Sequence, residues 1–119
     1  MISNMEVFQM LDALARHATE AQRVSAVNVS RAAEPGYKAQ EIESFEAFLA
    51  RASEQTGTPN YNTPFKTYDA AGPSAPNGNS VNIEQELFRS AEATGQHGLA
   101  ISAYTKTLEL MRMAVSGRR

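Results

Sequence analysis

The sequence contains no cysteine and no tryptophan, and only two of its 119 residues are histidine. The absence of cysteine excludes disulfides, thiol catalysis and cysteine-ligated metal sites. Aspartate is also scarce, since Asp12 and Asp69 are the only two. We interpret His17 with Glu20 as a solvated pair on a helix surface, and His97 as a packed or interface residue. No catalytic or metal-binding motif is present, so we expect no enzyme activity, cofactor or metal.

Long apolar runs and an excess of positive charge are missing as well. No stretch approaches 18 consecutive apolar residues, so we expect no direct membrane insertion. The first 15 residues contain no lysine or arginine and no continuous apolar core, so we expect no cleavable secretory signal. The 11 basic and 13 acidic residues form no basic stripe. Nucleic acid is therefore not an expected partner.

Large apolar side chains are few, whereas alanine is abundant. The chain has 19 alanines, and Leu, Ile, Val and Phe together number 22. With so small a fraction of these four residues, a chain has difficulty burying enough apolar surface to offset the entropy lost on folding. We therefore expect alanine-rich helices that approach closely and a core that is completed against other copies or partners.

The N-terminal part of the chain has a heptad pattern that predicts one long helix over residues 1–34. A capping box of Ser3 and Glu6 marks its start. The stripe weakens along the helix from leucine to alanine and then to polar residues. Its members are Val7, Leu11, Leu14, Ala18, Ala21, Ser25, Asn28 and Ala32.

The C-terminal part predicts a second long helix over residues 81–119, with Asn82 as its N-cap. The residues just before it are typical of a turn: Asn77, Gly78 and Asn79. The heptad stripe comprises Ile83, Leu87, Ser90, Thr94, His97, Ile101, Tyr104, Leu108, Met111 and Val115. Two glycines inside it, Gly95 and Gly98, predict either a bend or the close approach of another backbone.

Between the two helices, residues 35–52 are predicted to form a corner at Pro35, Gly36 and Tyr37 followed by a short amphipathic helix. Residues 53–80 are predicted to be a flexible, partly disordered loop, because 18 of these 28 residues are Gly, Pro, Ser, Thr or Asn. The expected fold is all-α and forms one domain.

In this fold the terminal helices pair as an antiparallel coiled coil. The expected facing sets are Leu11, Leu14, Ala18 and Ala21 on one helix and Leu87, Ile101, Leu108 and Val115 on the other. A single hairpin with so many alanine, serine and threonine contacts would be only marginally stable. We therefore expect oligomerisation to complete its core.

Two segments, "VNVSRAAEPGYKAQEI" and "PNGNSVNIEQE", resemble the corresponding segments of the flagellar rod and hook axial proteins. The resemblance covers residues from about 5 to 50 and from 76 to 116. Because the larger rod and hook proteins carry an added middle domain, the short chain resembles the proximal rod members most. Arg31 and Glu34 depart from the family pattern, where asparagine and threonine are usual.

The resemblance implies a structural subunit that assembles with other copies and other rod proteins into a tube in the flagellar basal body. It also implies export by the flagellar type III apparatus and contact with the rod-base adaptor and the inner-membrane ring. A small helical export adaptor or chaperone is the alternative prediction. A histidine-dependent hydrolase using His17 and His97 is a third hypothesis, from the enzyme class.

Overall fold

The structure is a computed structural model that describes residues 4–54 and 56–117. The elements follow in the order α1 (Asn4–Ser30), β1 (Gln40–Ile42), α2 (Phe45–Ala52), β2 (Thr67–Asp69) and α3 (Ile83–Ser116). The capping residue predicted at Ser3 lies outside the described residues. Within the described part of the chain, no helix is both long enough and apolar enough to cross a membrane.

The two long helices pack against each other, as the heptad patterns predict. They run antiparallel, because Phe8 near the start of α1 packs on Tyr104 near the end of α3, with ring centroids 4.7 Å apart. At the other end, the Ser25 hydroxyl donates to the backbone carbonyl of Glu86 over 3.0 Å. The molecule is therefore elongated, with principal extents of 69 × 30 × 16 Å.

The face that α1 buries agrees with its predicted stripe. Leu11, Ala18, Ser25 and Asn28 are all buried. A second row, which includes Ala13, His17 and Val24, is buried as well, so α1 is covered on two sides. This helix is the centre of the fold because α3 packs on it, and β1 contacts it too.

The face that α3 presents to α1 differs from the predicted one. Its buried residues are Glu86, Ala93 and Ala100, seven residues apart, whereas Leu87, Ile101 and Val115 are 65%, 50% and 71% exposed. The expectation that these three face α1 is therefore not met. Alanines let two helices approach closely, and the Ser25 hydrogen bond to Glu86 holds α3 in this rotation.

The middle of the chain contains a small antiparallel sheet that the all-helical expectation lacks. Gln40 pairs with Asp69 and Ile42 with Thr67. The ladder is flanked on either side by the hydrogen bonds Ala70 N–H to Ala39 O and Glu43 N–H to Lys66 O. Part of the segment predicted as a flexible loop therefore pairs with β1.

The short helix α2 contributes to a small aromatic cluster that packs on the second side of α1. It begins at an N-cap, Ser44, whose side chain accepts from the Ala47 N–H. Phe48 is completely buried, and its ring lies 4.7 Å from that of Phe65, which belongs to the long connection. Phe65 also meets the ring of His17 edge-on at 5.3 Å. This aromatic packing holds the return segment beside α1.

Candidate assembly site

The predicted corner and the predicted turn before α3 meet in space, although they are about 40 residues apart in the sequence. The Gly36 N–H donates to the carbonyl of Asn77 over 2.9 Å. Gly36 and Gly78 both have positive φ, at 77° and 86°. A Cβ on Gly78 would lie 3.2 Å from the Gly36 Cα. Glycine is therefore required at Gly78 both for its conformation and for this close contact.

Asn28 joins the end of α1 to the start of β1 from a completely buried position. Its Nδ2 donates to the carbonyl of Gln40 over 2.8 Å, and its Oδ1 accepts from the Gln40 N–H over 3.0 Å. The same Oδ1 accepts from the Tyr37 hydroxyl over 2.8 Å. The amide of Asn28 thus satisfies both backbone groups of Gln40, in the way that a neighbouring strand would.

Tyr37 is half-buried at this corner and is held on both sides. Its hydroxyl is bound by Asn28, and the guanidinium of Arg31 lies 5.4 Å from the centre of its ring. This separation suits a cation–π contact. The carbonyl of Tyr37 accepts from the Ser80 N–H over 3.0 Å. Tyr37 therefore ties the corner to α1 and also to the segment that leads into α3.

Asn79, in the turn before α3, also links that turn to the corner after α1. It is buried, and its Nδ2 donates to the carbonyls of Arg31 and Glu34 over 2.9 and 2.7 Å. Its Oδ1 accepts from the Val81 N–H over 2.8 Å. Carbonyls at a helix C-terminus have no partner inside the helix, and Asn79 supplies one to the turn that follows α1.

The predicted N-cap of α3 is confirmed. The Asn82 side chain accepts from the Gln85 N–H over 3.2 Å, and α3 begins at the next residue. Asn77 contributes its Oδ1 to the Asn79 N–H over 3.1 Å. The corner residues and the residues before α3 therefore form one hydrogen-bonded junction, which holds the end of α1 next to the start of α3.

His17 is buried, so its interpretation as a solvated surface residue is wrong. Its Nε2 lies 2.6 Å from the carbonyl of Glu43, and its Nδ1 lies 2.8 Å from Nε2 of Gln96. Because the Gln96 amide nitrogen is a donor, these contacts assign the ring proton to Nε2. Glu20 forms its ion pair with Arg23. Both ring nitrogens of His17 thus link α1 to other parts of the fold.

A partly buried ion pair fastens α2 to Glu43, the residue that follows β1. Arg51 Nη2 lies 2.6 Å from Glu43 Oε2, and the same oxygen accepts from the Lys66 N–H over 2.8 Å. These bonds, chiefly the one from Arg51, lower the pKa of Glu43. The described residues contain no group of three or more histidine, aspartate or glutamate side chains placed to hold a metal ion.

Most of the exposed large apolar side chains of the described chain lie on α3. They are Ile83, Leu87, Phe88, Leu99, Ile101, Tyr104, Leu110, Met113 and Val115. We call this set the apolar surface of α3. So many exposed large apolar side chains on one helix make it a candidate for contact with another molecule.

The predicted assembly residues fall into two groups. Those that are buried or half-buried lie mostly on α1 and include Val7, Leu11, Leu14, Ala18, Ala21, Asn28, Leu108 and Met111. Those that are exposed all lie on α3 and are Leu87, Ile101, Tyr104 and Val115. Most of the first group supports the fold of one copy. In the second group Tyr104 packs on Phe8, so Leu87, Ile101 and Val115 are the ones free to contact another molecule.

No family model matches the chain, and no curated protein is similar enough to it to count as a match.

Proposed function

We propose that the chain is a structural subunit of a self-assembling tube, and specifically a proximal rod protein of the bacterial flagellar basal body, of the FlgB type. The observation that carries this proposal is the apolar surface of α3. A 34-residue helix that turns alanines inward and leucine, isoleucine and phenylalanine outward is built to be covered by neighbouring molecules.

The junction between the two long helices supports the same proposal. The segments that resemble the rod and hook axial proteins contain Asn28, the Pro35–Tyr37 corner and Asn79, and these groups are bonded to one another in the structure. A tube needs every subunit to hold its two wall helices at one angle, because small errors accumulate from copy to copy. A junction with this many hydrogen bonds meets that need.

The proposed partners follow from the proposed class. They are other copies of the chain, other rod proteins, the rod-base adaptor with the inner-membrane ring, and the flagellar export apparatus. The proposed location is the rod of the basal body.

The proposal is tested by replacing an exposed apolar residue with a charged one. Ile101→Asp should leave the folded monomer intact, since Ile101 is on the surface, but should abolish rod assembly and swimming in the source bacterium. Ser102→Asp is the matched control, since Ser102 is the next residue of the same helix and is also exposed. Normal swimming with Ile101→Asp, or equal loss with both variants, would contradict the proposal.

The alternative function, a small export adaptor or chaperone, makes a different prediction for the purified chain. An adaptor binds one client in a one-to-one complex and is fully folded alone. A rod subunit alone is folded but only marginally stable and opens often, and it becomes fully ordered in the assembly. Hydrogen exchange on the monomer separates the two functions, because full protection of α1 and α3 in isolation would favour the adaptor.

A further inference from the structure

A groove runs beside α3 and has α1 as its floor. It has a volume of about 640 Å³. Leu14, Ala21 and Val24 contribute to its floor, residues 40–46 form one wall, and the part of α3 from Glu86 to Leu99 forms the other. We call it the acidic groove, since five glutamates and one arginine line it. They are Glu41, Glu43, Glu46, Glu86, Glu92 and Arg89.

Glu86 shows that the acidic groove is an incomplete site. Its side chain is 1% exposed. One carboxylate oxygen, Oε2, lies 2.8 Å from Arg89 Nη1, but the other, Oε1, is buried and has no hydrogen-bond partner among the described residues. A buried carboxylate oxygen without a donor is costly. A cation arriving in the groove would remove that cost.

The other carboxylates of the groove divide into paired and unpaired groups. Glu43 is paired with Arg51, and Glu41 lies 3.7 Å from Arg89. Within the described part of the chain, neither Glu46 nor Glu92 has an ion-pair partner. The groove therefore presents negative charge over an apolar floor, which favours a helix that carries both apolar side chains and positive charge.

Among the described residues, the C-terminal end of α3 carries apolar side chains and one unpaired cation, Arg112, whereas its Glu109 lies 3.6 Å from Lys106. Because Phe8 packs on Tyr104, the first described residue of α1, Asn4, is level with residue 108. Residues 109–117, here called the overhang, therefore extend past the described part of α1. Leu110, Met113 and Val115 of the overhang are more than 60% exposed, and the exposed Arg112 has no ion-pair partner among the described residues.

The overhang cannot reach the acidic groove of its own chain. The overhang and one wall of the groove both belong to α3, which is a continuous helix from Ile83 to Ser116. Glu92 and Arg112 are 20 residues apart on this helix, which corresponds to about 30 Å. The groove and the overhang can therefore meet only between two copies.

We propose that the acidic groove of one copy binds the overhang of a second copy, with Arg112 of the second copy reaching Glu86 and Glu92 of the first. The inference rests on the proposed function, and it names the two surfaces through which subunits stack. Gly95 lines the groove, and a Cβ placed there would have no atom within 4 Å. This open space lets an incoming helix come close to the α3 backbone.

The contact is heterologous, because it joins two different surfaces of the same molecule. Each copy would still have a free groove at one end and a free overhang at the other. Repetition of such a contact produces an open-ended assembly, not a closed dimer. This is the type of growth that a tube requires.

Chemical crosslinking tests the contact directly, because the chain has no cysteine of its own. Two full-length single-cysteine proteins, Glu92→Cys and a size-tagged Arg112→Cys, are mixed at high concentration and treated with a short bis-maleimide. The expected result is a dominant mixed dimer. Ala91→Cys is the matched control for Glu92→Cys, since Ala91 is the preceding exposed residue of α3 and does not line the groove.

A charge reversal gives an independent measurement of the same contact. Arg112→Glu should weaken self-association, followed by sedimentation, about tenfold or more. Adding Glu92→Arg to the same chain should restore it, because each copy carries both surfaces. Adding Glu84→Arg, at an exposed position of α3 outside the groove, should not.

Three results would overturn the docking proposal: no mixed dimer, an equal yield with Ala91→Cys, or no rescue by Glu92→Arg. If the chain still assembled and supported swimming in any of these cases, the proposed function would stand and the stacking contact would be wrong. If deletion of the gene left rod assembly and swimming unchanged, the proposed function would fail whatever the crosslinks showed.

Discussion

Replacing Asn28 by alanine tests whether the junction between the helices depends on one buried amide. The substitution removes three hydrogen bonds, two with the backbone of Gln40 and one with the Tyr37 hydroxyl. A hydrogen bond contributes about 1 kcal/mol net to stability, and a buried group left without a partner costs about 1–3 kcal/mol. Alanine is a better helix former than asparagine by about 0.6 kcal/mol, which offsets a small part of the loss.

The expected decrease in the free energy of unfolding is therefore about 2–3 kcal/mol. For a chain of this length, such a decrease lowers Tm by roughly 10 °C. Urea unfolding followed by circular dichroism measures it. Asn62→Ala is the control, because Asn62 is exposed in the connection and its loss should change stability by less than about 0.5 kcal/mol.

A second variant at the same position separates hydrogen bonding from packing. Asn28→Asp keeps the shape and the Oδ1 acceptor but replaces the Nδ2 donor with an oxygen that faces the Gln40 carbonyl. It should destabilise the fold at neutral pH at least as much as alanine does, because two acceptors then face each other in a buried site. The reasoning would be refuted if Asn28→Ala and Asn62→Ala had equal stability, or if Asn28→Asp matched the parent chain.

Three further predictions concern other parts of the fold. Gly78→Ala should cost about 1–3 kcal/mol in urea unfolding, because of its positive φ and the backbone of Gly36; parent-like stability would contradict this. Because Arg51 lowers the pKa of Glu43, the stability from this pair is complete above the ordinary pKa of 4.5 and is lost as the pH falls through the lower folded value. Arg51→Met should therefore flatten the acid side of the stability profile, and an unchanged profile would count against it. Glu86→Gln should change monomer stability by less than about 1 kcal/mol yet weaken self-association in sedimentation; unaltered association would refute a role for this carboxylate.

Several features of the fold follow from the sequence through local rules. The heptad stripe predicts α1 and its buried face, because a run of apolar residues at helical spacing has only one side to bury. Asn82 is recognisable as the start of α3, since a short polar side chain before a helical pattern satisfies free backbone N–H groups. The break near Pro35 and Gly36 is equally local, and α1 ends at Ser30, a few residues earlier than predicted.

Other features could not be predicted, because they depend on partners far away in the sequence. Strands of three residues are too short to show an alternating pattern, so β1 and β2 are defined by their pairing. His17 belongs to a pattern that also fits an exposed helix face, and it is buried because Phe45, Phe65 and Gln96 come to it from other segments.

The candidate assembly site divides in the same way. The sequence by itself determined that the first long helix ends at a corner and that the second begins at a cap. Helix geometry, proline, glycine and capping all act over a few residues. Only the tertiary structure decided that Asn28 and Asn79 join these two motifs. It also decided that α3 turns its alanines toward α1 and its large side chains outward, since rotation about a helix axis is set by the packing of both helices and by the hydrogen bonds between them.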